Sequence, residues 1–280
     1  MREIEAGKIT DVISYLCKEA NFSLPDDVLS AIKTAKLREE SPMGKEVLSL
    51  ILENAQVAER EKIPLCQDTG CVIVFLELGQ EVIIKGDIYR VIDEGVRRGY
   101  EEGYLRKSMV KDTCFSRENT GDNTPAIVHM EIVPGDALKI IVMPKGSGSE
   151  NMSRLSMLKP AEGVEGIIDF VVETVEIAGP NSCPPLIVGV GIGGSFEMAA
   201  YLAKKALLRK VQGKNPSIEV ANLERELLER INHLGIGPQG FGGRITALAV
   251  HVETFPTHMA SLPVAVNLNC YAARRKGAIL

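Results

Sequence analysis

The feature that most constrains this chain is a change of hydrophobic period near Pro64. Before it, Ile4, Ile9, Val12, Ile13 and Leu16 keep near-helical spacing, the pattern of a helix with one buried face. Residues 2–62 therefore read as helices, with Asp26 and Ser41 as N-caps of two further ones. The third runs from Gly44 to about Glu61. After Pro64 the apolar runs are short. Cys71–Leu76 and Val82–Ile84 read as buried strands, followed by a helix from Ile88 to about Tyr104.

Residues 106–123 are polar and irregular, which inside a folded chain often marks a functional loop. Ala126–Val133 and Leu138–Val142 read as a strand pair across the turn Pro134-Gly135-Asp136. A glycine/serine loop (Lys145–Glu150), a helix (about Pro160–Ala178) and a strand (Leu186–Val190) come next. Helices at Ser195–Val211 and Ile218–Leu234 precede the glycine-rich loop Gly235–Gly243. Strands at Ile245–Val252 and Val264–Leu268 flank a loop containing Pro256, Thr257 and His258. Helices and strands mix without a regular βαβ rhythm. The fold class is mixed α/β (α+β), a helical N-terminal region followed by a mixed-sheet region. We expect one domain over residues 1–280, with a helical subregion 1–62 and a mixed α/β subregion 63–280.

A net charge of −5 and a pI near 5.6 argue against broad binding to nucleic acid or a membrane surface. No apolar run is long enough to cross a bilayer. The charged N-terminus lacks the apolar stretch of a signal peptide, so a cytoplasmic location is expected. Six cysteines in 280 residues are too sparse for a disulfide scaffold.

Cys17 and Cys71 lie in apolar runs and read as packing residues, while Cys114, in a polar loop, fits either role. Cys66, Cys183 and Cys270 sit instead among proline, glycine and polar residues. Without a Cys-x-x-Cys pair, spacing alone argues against a structural zinc or ferredoxin-type site. It leaves open both a metal site assembled by the fold and three unrelated thiols. Gly189–Gly194 matches G-x-G-x-x-G after a strand, but no second strand ending in an acidic residue follows. Close helix–strand packing, or an amide nest for an anion, explains these glycines more simply. Of four histidines, His129 and His251 fall in strands, His233 near a helix end, and His258 in a proline-flanked loop where acid–base residues concentrate.

Several segments, in order, resemble one known family. They are Pro64–Gly70 (Pro-Leu-Cys-Gln-Asp-Thr-Gly), Asp122–Pro125, Pro144–Asn151, Met157–Pro160 and Gly191–Ser195. Gly235–Gly243 and Leu262–Cys270 complete the set. The chain resembles the α subunit, or N-terminal domain, of the class I fumarase and L-tartrate dehydratase family. The resemblance implies a cluster-binding domain in which Cys66, Cys183 and Cys270 hold a [4Fe–4S] cluster. Gln67, Asp68, Arg106 and Gly148 carry over as contacts to a small dicarboxylate substrate, and Asp68 with His258 as the proton-handling pair. Three thiolates on four irons would leave one iron open as a Lewis acid.

Family enzymes complete the site with a second, C-terminal domain. The sequence ends at Leu280, so the resemblance implies an α subunit that needs a separate β subunit, compatible with an α2β2 heterotetramer. Reversible hydration of fumarate to (S)-malate is the expected reaction. L(+)-tartrate dehydration is the alternative within the family. A non-catalytic iron–sulfur or zinc-binding module, and then a dinucleotide-binding oxidoreductase, are the alternatives outside it.

Overall fold

A computed structural model describes residues 1–280. The chain opens with β1 (Arg2–Glu5), α1 (Ala6–Phe22), α2 (Asp26–Arg38) and α3 (Pro42–Glu61). It continues with β2 (Cys71–Gly79), β3 (Val82–Lys85), α4 (Ile88–Glu102), β4 (Ile127–Val133) and β5 (Leu138–Lys145). Then come α5 (Ser147–Glu150), β6 (Arg154–Leu158), α6 (Gly163–Ala178), β7 (Leu186–Gly193) and α7 (Phe196–Ala206). The last elements are α8 (Ile218–His233), β8 (Ala247–Phe255), β9 (Leu262–Asn269) and β10 (Lys276–Ile279). The mixed α/β class expected from the sequence is the one observed. No helix is long and apolar enough to cross a membrane.

The chain divides into two compact units. The first comprises Met1–Pro25, Asn54–Ser147 and Arg274–Leu280; the second comprises Asp26–Glu53 and Gly148–Ala273.

In the first unit the main sheet has the strand order β10-β5-β2-β4. Alternate residues of a strand share a face, and Val72, Val74 and Leu76 of β2 pack with Ile9, Ile13 and Leu16 of α1 and Ile92 and Val96 of α4. β4 and β5 do not form the hairpin that the Pro134–Asp136 turn suggests. They flank β2, which runs parallel to β4 and antiparallel to β5. The reason is burial: Val72–Leu76 is buried on both faces, so β2 takes a central position with partners on both edges. The turn bonds instead to the end of β2, with Gln80 N donating to Val133 O (2.8 Å) and Glu81 N to Gly135 O (3.0 Å). Arg2–Glu5 also departs from the helical expectation and forms a parallel ladder with β3. Ile4 joins the core from that ladder; four residues are too few for periodicity to separate strand from helix.

In the second unit the sheet order is β6-β9-β7-β8. β7 runs parallel to β8 and antiparallel to β9, which removes the doubly wound sheet of a dinucleotide fold. Leu186, Val188 and Val190 of β7 meet Ile168 and Val171 of α6 and Leu227 and Ile231 of α8. The alternate positions face α7, and there the strand carries Gly189 and Gly191. A Cβ on Gly189 would stand 2.1 Å from Ala203 O, and one on Gly191 would stand 2.1 Å from Ala199 O. These two glycines let the α7 backbone lie directly on the strand.

The corner between α2 and α3 is built on a buried carboxylate. Glu39, 1% exposed, accepts N–H bonds from Glu40 (2.8 Å), Ser41 (2.9 Å) and Arg244 (2.9 Å) on Oε1, and from Ile245 (2.7 Å) on Oε2. Its side chain also fills the space beside Gly44 and Gly243, where a Cβ would come within 2.9 and 2.6 Å. Ser41 then caps α3, its Oγ accepting from Gly44 N at 3.2 Å. Burial pushes the Glu39 carboxyl up, but the main-chain donors together outweigh it and hold the group below its ordinary 4.5.

Two outcomes follow from this packing. Gly191→Ala overpacks the α7–β7 contact and lowers stability by about 1–3 kcal/mol, read as a fall in thermal midpoint; an unchanged midpoint would contradict the contact. For Glu39 the folded pKa lies below the unfolded one, so its contribution is full above pH 4.5 and lost as pH falls through the lower folded value. Urea unfolding of wild type and Glu39→Gln at several pH values should therefore show a stability gap at pH 7 that narrows in acid.

Candidate active site

None of the six cysteines is in a disulfide. Cys17 is fully buried on α1, and burial pushes its thiol up to about 12. It is a packing residue, as its pattern suggested. The Cys71 thiol donates to Lys145 O at 3.6 Å, and Cys114 is exposed. Cys66, Cys183 and Cys270 are half-buried.

In the first unit, Cys66, Gln67 and Asp68 occupy the loop between α3 and β2, and that loop is pinned through its main chain. Leu65 N donates to Asn21 O (2.9 Å), and Asn54 Nδ2 donates to Leu65 O (2.9 Å). Arg274, 2% exposed, donates through Nη1 to Asp68 O (2.8 Å) and to Asn21 Oδ1 (2.9 Å). The hydroxyl of Tyr100, at the buried end of α4, donates to Thr69 O (2.7 Å) and Gly70 O (3.1 Å). Burial pushes that phenol's pKa up, so it stays a donor. Asn123 Nδ2 donates to Gly70 O (3.1 Å) while its Oδ1 accepts from Ser108 N (2.7 Å). Gly70 has φ +75°, and a Cβ there would lie 2.5 Å from the Lys145 carbonyl; only glycine fits.

This pinning leaves specific groups aimed and others free. The Asp68 carboxylate accepts from Gly70 N on Oδ1 (3.0 Å) and from Ser147 N on Oδ2 (2.7 Å). Thr69 Oγ1 donates to Arg106 O (2.7 Å), which ties the start of the polar stretch 106–123 to the cysteine loop. The side chains of Gln67 and Arg106 are exposed. The structure thus brings Cys66, Gln67, Asp68 and the Arg106 backbone into one bonded assembly.

In the second unit, Cys183 O accepts from the N–H of Tyr271, the residue after Cys270, at 3.3 Å. Cys183 closes a short 3-10 turn in a left-handed conformation (φ 55°, ψ 65°). Gly148 is exposed, and the turn it belongs to is anchored by Glu150. Lys204 Nζ donates to both Glu150 oxygens, and Asn267 Nδ2 donates to Glu150 Oε2 and to Ser153 Oγ, each at 3.0 Å. Asn267 lies on β9, three residues before Cys270. His258 is exposed in the β8–β9 loop, and its Nδ1 accepts from Ala260 N at 3.2 Å. That bond puts the proton of a neutral ring on Nε2. His233 needs no function, its Nδ1 lying 2.7 Å from Glu229 O one helical turn back. Cavities of roughly 250 and 460 Å³ flank α8; His233 and Glu229 line the second, and neither contains Cys66, Gln67, Asp68, Arg106, Gly148, Cys183, His258 or Cys270.

The donor chemistry can be weighed against an iron–sulfur cluster. No three His, Cys, Asp or Glu side chains stand close enough to share a single metal ion. A mononuclear zinc-type site is therefore not preformed, whereas a four-iron cluster is larger than one ion and takes thiolates. Three half-buried thiols outside any disulfide suit that chemistry. Sequence reasoning missed Tyr100, Asn123, Arg274, Glu150, Lys204 and Asn267 as organisers. Asn123, Glu150 and Asn267 lie inside the motifs quoted above; Lys204 and Tyr100 carry no sequence signal beyond their helices.

Against known proteins, the chain matches the model of a family described as fumarate hydratase (Fumerase) over residues 10–279. It is 48% identical over 274 residues to a Methanocaldococcus jannaschii protein provisionally named L(+)-tartrate dehydratase subunit alpha, with 96% of each chain covered. It is 36% identical over 273 residues to the L(+)-tartrate dehydratase subunit alpha of Escherichia coli strain UTI89, covering 96% of this chain and 89% of that one. The protein of the same name from Shigella sonnei is 35% identical over 271 residues with the same coverage.

Tyr100→Phe removes the donor shared by Thr69 and Gly70. It should cost about 1–3 kcal/mol, seen as a lower urea midpoint; wild-type stability would show that the hydroxyl does not hold the loop.

Proposed function

The chain belongs to the fumarate hydratase (Fumerase) family, and from that premise we propose that it is the α subunit of a hydro-lyase interconverting fumarate and (S)-malate. The observation that carries the reading is the Cys66–Gly70 loop. It presents a half-buried thiol, an exposed amide and a carboxylate aimed by two main-chain N–H groups. In this reading Cys66, Cys183 and Cys270 would hold a [4Fe–4S] cluster. When bound, the cluster supplies an iron without a protein thiolate, a Lewis acid for substrate oxygen.

The chain's own residues do the rest. Arg106 offers a planar fork that matches a carboxylate, and Gln67 donates to substrate oxygen. Gly148, lacking a side chain, lets the backbone approach the substrate. Asp68 and His258 move the protons: hydration adds a proton to one alkene carbon and hydroxide to the other, and dehydration reverses both. A separate β subunit supplies the remaining contacts in an α2β2 assembly; the relatives' names as alpha subunits support a second chain. A reducing cytoplasm suits three cluster-holding thiolates.

The second reading is dehydration of L(+)-tartrate to oxaloacetate and water, favoured by the names of the relatives. The substrates differ by one hydroxyl, so a single experiment separates them. The α chain, produced anaerobically with its β chain and reconstituted, should bind about four irons per α chain, fewer when Cys66, Cys183 or Cys270 is changed to Ser. Assayed side by side, fumarate and malate should turn over faster than L-tartrate. Preference for tartrate would install the second reading, and one zinc or no metal would overturn the cluster.

A further inference from the structure

We propose that Gln239 is a positioning residue for Cys183: the Pro238–Gly240 segment grips the main chain on both sides of that thiol and fixes where its sulfur points. The proposal rests on the reading above, in which Cys183 is a cluster ligand.

Four observations carry it. Gln239 donates twice to one oxygen, Pro184 O, through its backbone N–H (2.8 Å) and through Nε2 (2.6 Å). Pro184 directly follows Cys183. On the other flank, Gly240 lies against Pro180, where a Cβ would come within 2.3 Å of the proline ring. Pro180 O in turn accepts from Cys183 N (3.0 Å). Gln239 is itself left-handed (φ 52°, ψ 19°), the conformation that turns both of its donors onto the same carbonyl.

The loop has a firm base. Gly237 N donates to Thr246 Oγ1 (3.2 Å), Gly242 N donates to Ile236 O (2.9 Å), and Gly243, Arg244 and Ile245 close on the Glu39 carboxylate. That base matters because Cys183 is left-handed too, and a non-glycine residue stays there only when its surroundings over-determine it. A cysteine has one side-chain torsion before its sulfur, so fixing the backbone confines the thiol to the few staggered directions χ1 allows. A cluster ligand needs that direction held before iron arrives. The glycine-rich loop thereby acquires a role through Cys183.

The test uses the full-length, metal-free chain under anaerobic conditions. Iodoacetamide alkylation of each cysteine is followed by peptide mass spectrometry for wild type, Gln239→Leu and the milder Gln239→Asn, which keeps the amide but shortens its reach. Cys183 should react about three- to tenfold faster in the variants, the range spanned by loss of one buried hydrogen bond, while Cys66 and Cys114 keep their rates. An unchanged Cys183 rate, or a parallel rise at all three cysteines, would overturn the proposal. In the reconstituted αβ complex, the variants should also alter the cluster's electron paramagnetic resonance line shape; a line shape identical to wild type counts against the clamp. If the wild-type complex takes up no iron, the cluster reading fails, while the alkylation comparison still decides whether Gln239 holds Cys183.

Discussion

The second unit depends on how closely α7 lies on β7. Gly189 and Gly191 place the carbonyls of Ala203 and Ala199 where side chains would otherwise stand. That approach sets the position of Lys204, one residue beyond Ala203, and Lys204 is the partner of Glu150. Glu150 in turn meets Asn267 on β9, the strand beside β7 that leads to Cys270. A side chain at either glycine would lift the helix and disturb this series at its origin. The same residues that look like a phosphate-binding fingerprint are there for packing.

The first unit reaches a similar end by other means. Its candidate residues are held by their carbonyls and amides, gripped by Tyr100, Asn123 and Arg274, none more than 2% exposed. The side chains of Gln67 and Arg106 are thereby relieved of structural duty. Gln67 and Arg106 remain exposed while the backbone beneath them is fixed. A loop built this way is preorganised mainly through its main chain, while the Asp68 carboxylate adds bonds from Gly70 N and Ser147 N.

The sequence was legible where period or turn chemistry decides the outcome. The helices after residue 5, the runs around Val72 and Val188, and the Ser41 cap follow from local rules. Pairing did not follow, because a buried strand such as β2 recruits partners from distant segments, and the turn at Pro134–Asp136 looks the same whether or not it closes a hairpin. Cysteine context set Cys17 and Cys71 apart from Cys66, Cys183 and Cys270, and family motifs singled out Asp68, Arg106 and His258. The organising residues stayed hidden because a buried tyrosine on a helix, or a glutamate two residues before a serine, announces nothing about which distant carbonyl or amide it will meet. Glu39 and Arg244 are the clearest case: their bond joins positions 205 residues apart.

The order of segments in the two units has a consequence for biosynthesis. The first unit is gathered from 1–25, 54–147 and 274–280, and its sheet includes β10, which pairs with β5. A ribosome delivers residues from the N-terminus onward, so this unit holds an open β5 edge throughout translation of the whole stretch 148–273. Residues 276–279 close it. Until then Ile140 and Val142 stand at an exposed edge, the situation that invites pairing between nascent chains. For this protein, the interval between making the first sheet and sealing it is the time needed to synthesise residues 148–273.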